Sequence, residues 1–335
     1  MPAAQRQRHF PSRRRARLGT LALVAGLGLG LGGITAARAE PPARWVVPYS
    51  AGGGSDLATR IVAQKISPVL QQNIVVDNKP GGATILAAQD VARAKADGAT
   101  LLTAGQGTLV LNPALYPKLP YDAKADFTLV TPLVRLPVVL VTSPRVPAHT
   151  LAEFIQWLKA DGGKATYASV GTGSPHHLSA QLMLDRLKAQ AVHVPYKGTP
   201  PALQDLAGSQ VDFMMADLSA AAPLIRAGRI RAIALPAEQR AAVLPNVPTF
   251  AEAGLADFTA FAWQGVVVPA GTPSATVDKL NAAIVAALKD PAVVKQMQDL
   301  GLEPMGDSRA GFAAFVGREQ AKWGALIRAH HITLE

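Results

Sequence analysis

Two stretches of the 335-residue chain combine glycines, hydroxyls and titratable groups at spacings that suit ligand capture. The first runs Tyr49-Ser50-Ala51-Gly52-Gly53-Gly54-Ser55-Asp56, behind the apolar "RWVVP" and ahead of a segment with helical periodicity. The second runs Gly171-Thr172-Gly173-Ser174-Pro175-His176-His177, between "ATYASV" and the helical "LSAQLML". Each reads as strand, glycine loop and helix, with Ser174 as an N-cap and Pro175 in the first turn. Glycine lets a ligand approach the backbone, and first-turn N–H groups with the helix dipole favour an anion. Two such ends facing each other would grip a carboxylate from both sides. Neither loop contains Lys or Arg, so backbone dipoles would meet the charge, which suits a ligand that must leave again. A glycine-rich turn taken alone is as often merely a tight turn.

Other chemistries fit these residues less well. Gly52 to Leu57 lacks the sixth-position glycine of a dinucleotide fingerprint, and no Gly-Lys-Ser/Thr phosphate loop exists. His176 and His177, adjacent on a helix, diverge by about 100° and cannot share a metal. No His-x-x-x-His pattern or cysteine supports them, so neither a metal nor a cofactor is expected. Ser174 with His177 lacks the Gly-x-Ser-x-Gly elbow of a hydrolase. His177 reads better as a group steadying its loop or touching ligand. Asp56 would repel a bound anion unless it points away, and structural capping is its expected role.

The first 39 residues stand apart. Six arginines between Arg6 and Arg17, an apolar glycine-diluted run from Leu18 to Ile34, and Ala37-Arg38-Ala39 before Glu40 read as a cleaved export signal. Arg13-Arg14 leaves the choice between the general and twin-arginine routes open. The formal charge of +10 comes mostly from seven leader arginines, leaving +3 on the mature part. A nucleic-acid footprint is therefore absent. With no cysteine the fold needs no disulfide, and no later run has the length of a membrane span.

Behind the loops, short apolar runs alternate with helical patterns, which argues for an α/β protein with largely parallel sheets. Thr150, Thr272 before Pro273, Asp290 before Pro291, and Asp307-Ser308 punctuate helix starts. "LPVVLVTSPRVP" at 136–147 and "FAWQGVVVPAGTP" at 261–273 read as two crossover strands between two lobes. One lobe would comprise 40–141 and 262–335, the other 142–261.

Those same residues resemble the Bug (TctC-like) family, the extracytoplasmic receptors of tripartite tricarboxylate transporters. Pro48-Tyr49-Ser50-Ala51-Gly52-Gly53-Gly54-Ser55-Asp56, Asp77-Asn78-Lys79-Pro80-Gly81, "ADGATLLTA", "LNPALYPKLPYD", Gly171-x-Gly173-Ser174-x-x-His177-Leu178, "HVPYKGTPPALQDLAGSQVD", "VPTFAEAGL" and "VPAGTP" follow in family order across the mature chain. The departure is Gly81-Gly82-Ala83-Thr84, which touches one loop. The resemblance implies a two-lobed, Venus-flytrap periplasmic-binding-protein fold with the ligand carboxylate between the loops. It implies ligand-binding roles for Tyr49, Ala51, Gly52, Gly53, Gly54, Ser55 and Asp56, and for Gly171, Thr172, Gly173, Ser174 and His177. Asp217, in "MMADLSAA", occupies a position that resembles the family's distal, ligand-selecting region, though it could merely cap the helix that follows. Lys197 is better read as solvated than as facing the cleft.

The expected protein is a monomeric periplasmic receptor for a mono- or dicarboxylate, serving large and small membrane subunits of the transporter. An enzyme on the same scaffold is the rival, since fold does not fix function. It would need a nucleophile–base–orienter set that this sequence does not offer. A receptor feeding a membrane signalling protein would use the same binding chemistry.

Overall fold

The computed structural model describes residues 42–256, 258–329, 333 and 334. The expected leader and its cleavage site lie outside them. Chain order is β1 (Ala43–Val47), α1 (Gly54–Leu70), β2 (Ile74–Asn78), α2 (Ile85–Ala92), β3 (Thr100–Gly105), α3 (Asn112–Leu115) and β4 (Phe127–Thr142). It continues with α4 (Leu151–Ala160), β5 (Thr166–Ser169), α5 (Pro175–Leu187), β6 (Val192–Pro195), α6 (Thr199–Ala207), β7 (Phe213–Asp217), α7 (Leu218–Arg226) and β8 (Arg231–Ala234). The last elements are β9 (Phe261–Pro269), α8 (Ser274–Lys289), α9 (Pro291–Asp299), β10 (Glu303–Pro304) and α10 (Arg309–Ala329).

The strands join in the order β2-β1-β3-β9-β4-β7-β5-β6, with β8 and β10 also pairing to β4. Pairings within the βαβ units are parallel. The long strands β4 and β9 run antiparallel to their neighbours, so the sheet is more mixed than alternation alone suggests. Phe127 to Pro137 pairs with β9, and Val138 to Thr142 pairs with β7. The handover falls at Pro137, a residue with no N–H to lend to a ladder. The sequence pattern gives two separate strands here, 127–130 and 138–141. The strand continues because Pro132 lies where the register slips, and a bulge tolerates a missing donor.

Side-chain alternation builds a core on each face of both halves. Trp45 and Leu101 pack under α1 and α8, while Val46 and Leu102 pack toward α2 and α10. Beyond the handover, Leu140 faces α4 and α5, while Val139 and Val141 face α6 and α7. Thr150 caps α4, Asp290 caps α9 and Ser308 caps α10, as their types predict. Thr272 does not cap α8: that helix starts at Ser274 behind Pro273, and the Thr272 hydroxyl donates to Pro269 O instead. The helical stretch from Gly107 to Leu115, opened by a π-helical turn, has no counterpart in the periodicity reading. Leu109, Val110 and Leu111 are all buried there, so no polar face marks the turn. Among the described residues no helix is long and apolar enough to cross a membrane.

Candidate ligand-binding cleft

The first loop leaves β1 and turns into α1 through Gly52, whose φ of +82° excludes most side chains. Asp56 fixes this turn. Its carboxylate accepts from Gly52 N (2.8 Å), from Arg60 Nε (2.9 Å) and from Asn78 Nδ2 (3.0 Å), and Asn78 also donates to Tyr49 O. Asp56 thus points into its own half and holds the loop, close to the capping role its position suggests.

The second loop leaves β5 with positive φ at Gly171 and Gly173. Ser174 Oγ accepts from His177 N at 3.2 Å, the expected N-cap. His177 lies behind the loop: its Nδ1 accepts from Gly173 N (3.1 Å) and its ring stacks on His193 at 4.0 Å. Burial pushes both imidazoles down to about 4, His193 also through the neighbouring His177. His193 Nε2 lies 2.7 Å from Ser169 Oγ, which in turn binds Gly171 N and O.

These loops come from opposite halves and meet at a small inner chamber. Gly53, Gly54 and Ser55 line it from the first loop, and Val170, Pro175 and His176 from the second. Asp217 at the end of β7 stands between them, 5% exposed. His176 Nε2 lies 2.7 Å from its Oδ1, Thr199 Oγ1 donates to its Oδ2 at 2.5 Å, and the Gly54 N–H faces it from the other half. Burial alone would raise this carboxyl, but the His176 charge and these donors hold it below the usual range. Asp217 occupies the N-cap position of α7 without capping it. Gln264 of β9 closes the chamber beside Tyr49, whose phenol burial pushes up to about 12. The chamber's volume is about 10 Å³, room for roughly one water molecule.

Tyr49 and Val170 also line an outer chamber of about 580 Å³ that opens toward solvent. Gly171, Thr172, Tyr116 and Lys197 border it, as does the 81–85 loop where the sequence departs from the family pattern. Lys197 is exposed at this mouth, so it is solvated and faces the cleft at once.

Of the residues singled out from sequence, Tyr49, Gly53, Gly54, Ser55, Gly171, Thr172 and Asp217 line one chamber or both. Ala51, Gly52, Asp56, Gly173, Ser174 and His177 line neither. Thr199, Gln264 and His176 escaped the sequence reading as cleft residues. The 100° divergence of the two histidines keeps them from facing the same way, but does not say which of them lines the cleft. Gln264, a lone amide in the apolar "FAWQGVVV", was the visible signal.

A chamber between two α/β halves joined by crossing strands is the arrangement of the periplasmic-binding-protein class. The family model described as tripartite tricarboxylate transporter family receptor matches residues 58–332, and the chain belongs to that family. It is 35% identical over 320 residues to the UPF0065 protein in the tcbD-tcbE intergenic region of Pseudomonas sp. (strain P51), covering 93% of this chain and 95% of that one. The solved periplasmic binding protein BugD is 30% identical with a TM-score of 0.84, covering 88% of this chain and 99% of its own. Rhodopseudomonas palustris MatC with bound malate is 36% identical (TM-score 0.80, 85% and 98% covered). R. palustris Rpa4515 with adipate is 32% identical (TM-score 0.83, 86% and 96% covered).

Proposed function

We propose that this chain is a monomeric periplasmic receptor that captures a small organic carboxylate and presents it to the membrane subunits of a tripartite transporter. In this reading 1–39 is the cleaved export signal, 40–141 with 262–335 forms one lobe, and 142–261 forms the other. Tyr49, Gly53, Gly54, Ser55, Gly171, Thr172 and Asp217 contact the ligand, while Asp56 and His177 keep the two loops in shape. The observation that carries the reading is the convergence of two glycine loops, from opposite halves, on one chamber. Relatives solved with malate and adipate support a carboxylate as the solute.

The test is a thermal-shift screen against organic acids, with malate and adipate included and neutral sugars as controls. A ligand at 100 times its Kd should stabilise the protein by about 2.7 kcal/mol. Stabilisation by uncharged solutes alone would overturn the reading.

A further inference from the structure

Helix α5 packs into two cores. Ala180, Met183 and Leu184 join the core of its own half, among Phe154 and Phe213. Leu178 and Leu182, one turn apart on another face, join the core of the first half, with Leu115 of α3 and Ile327 of α10. Leu178 is 1% exposed, covered by that opposite half. Leu334 extends the same seam. Its N–H donates to Leu115 O at 2.9 Å, and its side chain packs on the first-half core. A Cβ on Gly173 would lie 2.8 Å from Leu334 Cδ1 and 3.0 Å from Leu115 Cδ1, so these two side chains reach the second glycine loop where it carries none. Leu334 also borders the outer chamber beside Tyr116 and Gly171, and it stands two residues past the stretch that matches the family.

Rotation about the crossing strands that parts the halves would return Leu178, Leu182 and Leu334 to water together. Apolar surface returned to water opposes that rotation. These are contacts of protein with protein, so they act with or without a solute. The polar groups at Gly54 and Asp217 carry no such bias, because water can serve them when the halves part. We propose that Leu178, Leu182 and Leu334 form an apolar clasp that populates the closed form before solute arrives, with Leu334 also seating the second loop. Closure already favoured by the clasp draws less on the binding energy of the solute, so the same two loops hold it more tightly. The clasp goes beyond carboxylate capture and acts alike on any solute that the two loops enclose.

The chain has no cysteine, so Val69→Cys on α1 and Val192→Cys on β6, both exposed and one in each half, provide unique spin-label sites. In ligand-free protein the label separation that matches this structure should account for at least about 20% of molecules, the rest standing farther apart. Leu334→Ser should lower the ratio of short to long separation at least about threefold, and Leu182→Ser, in the same seam from the other half, should do the same. Leu334→Met keeps the apolar bulk and should leave the ratio unchanged. Circular dichroism checks that each variant folds, and either serine variant suffices. A ligand-free protein found only at the longer separation would overturn the clasp. So would a ratio that a folded serine variant leaves unaltered, or that Leu334→Met lowers as far as Leu334→Ser does. Each readout is taken without solute, so its failure leaves carboxylate capture to the thermal-shift screen.

Discussion

The Nδ1 of His177 accepts a hydrogen bond from the Gly173 backbone N–H at 3.1 Å. An imidazole can do this only while that nitrogen is unprotonated, so the second glycine loop depends on a neutral histidine. His193, stacked on the same ring, shares the burial that holds both at about 4.

This fixes the sign of a pH effect. In the unfolded chain both histidines titrate near about 6.5. Between about 6.5 and 4 the unfolded state binds more protons than the folded one, so stability falls as pH falls through that window. Above it these two groups contribute no slope. Below about 4 the depressed carboxyls, including Asp90, Asp212 and Asp217, take over the loss. Melting temperatures from pH 7.5 to 4.5 should decline, and His193→Phe should flatten the decline. A slope unchanged by that substitution would place the titration elsewhere.

Gly53 and Gly173 should respond differently to a side chain, although sequence gave them equal standing in the two loops. Gly53 has negative φ, and a Cβ there meets only ordinary contacts, 3.6 Å from Ser50 O and 3.7 Å from Pro200 Cδ. Gly173 has φ of +73°, and a Cβ would press on Leu334 and Leu115 at 2.8 and 3.0 Å. Gly53→Ala should cost less than about 1 kcal/mol of stability, whereas Gly173→Val should cost about 1–3 kcal/mol from strain alone. Urea denaturation separates the two, and equal midpoints would contradict the assigned backbone geometry.

The contrast between these glycines indicates what a sequence can carry. Periodicity and caps locate α4 and α5 to the residue, because Thr150, Ser174 and Pro175 act through local hydrogen bonds and fixed dihedrals. The spacing of the two glycine loops likewise points to the chambers that their residues line. What lies outside local chemistry is harder to see. Asp217 looks like a helix cap until Gly54, His176 and Thr199, from three other segments, are found around its carboxylate. The continuity of β4 past Pro132 is equally non-local, since it depends on where the register against β9 slips.

Glu319 on α10 gives a stability test remote from the cleft. Its Oε2 accepts from Trp263 Nε1 of β9 (3.0 Å) and from Trp323 Nε1 (3.2 Å), and the carboxylate is buried. Glu319→Ala strands two indole donors and should cost roughly 2–4 kcal/mol. Glu319→Gln retains an acceptor oxygen and should cost less than half as much. Chemical denaturation of the two variants gives the comparison; equal losses would mean that the carboxylate's charge matters more than its hydrogen bonds.

The last prediction concerns closure of the cleft. The Gly54 N–H of the first half faces Asp217 of the second across the inner chamber, and a Cβ at Gly54 would collide with the Leu136 side chain and lie 2.8 Å from Ser219 Oγ. Absence of a side chain is thus what lets the halves meet here. Rotation about β4 near Pro137 and about the start of β9 near Phe261 would open this contact, because a few backbone dihedrals suffice for a hinge. Ligand contacts both loops only when the halves are close, so it should select the closed state and reduce the radius of gyration in solution scattering. Gly54→Ala should act as a wedge: the protein stays folded, ligand affinity drops at least tenfold, and ligand no longer compacts the molecule. Val69→Ala, on the exposed side of α1 and outside both chambers, should keep the compaction. Full compaction in Gly54→Ala would mean that the halves do not close through this contact, and the hinge would have to be sought elsewhere.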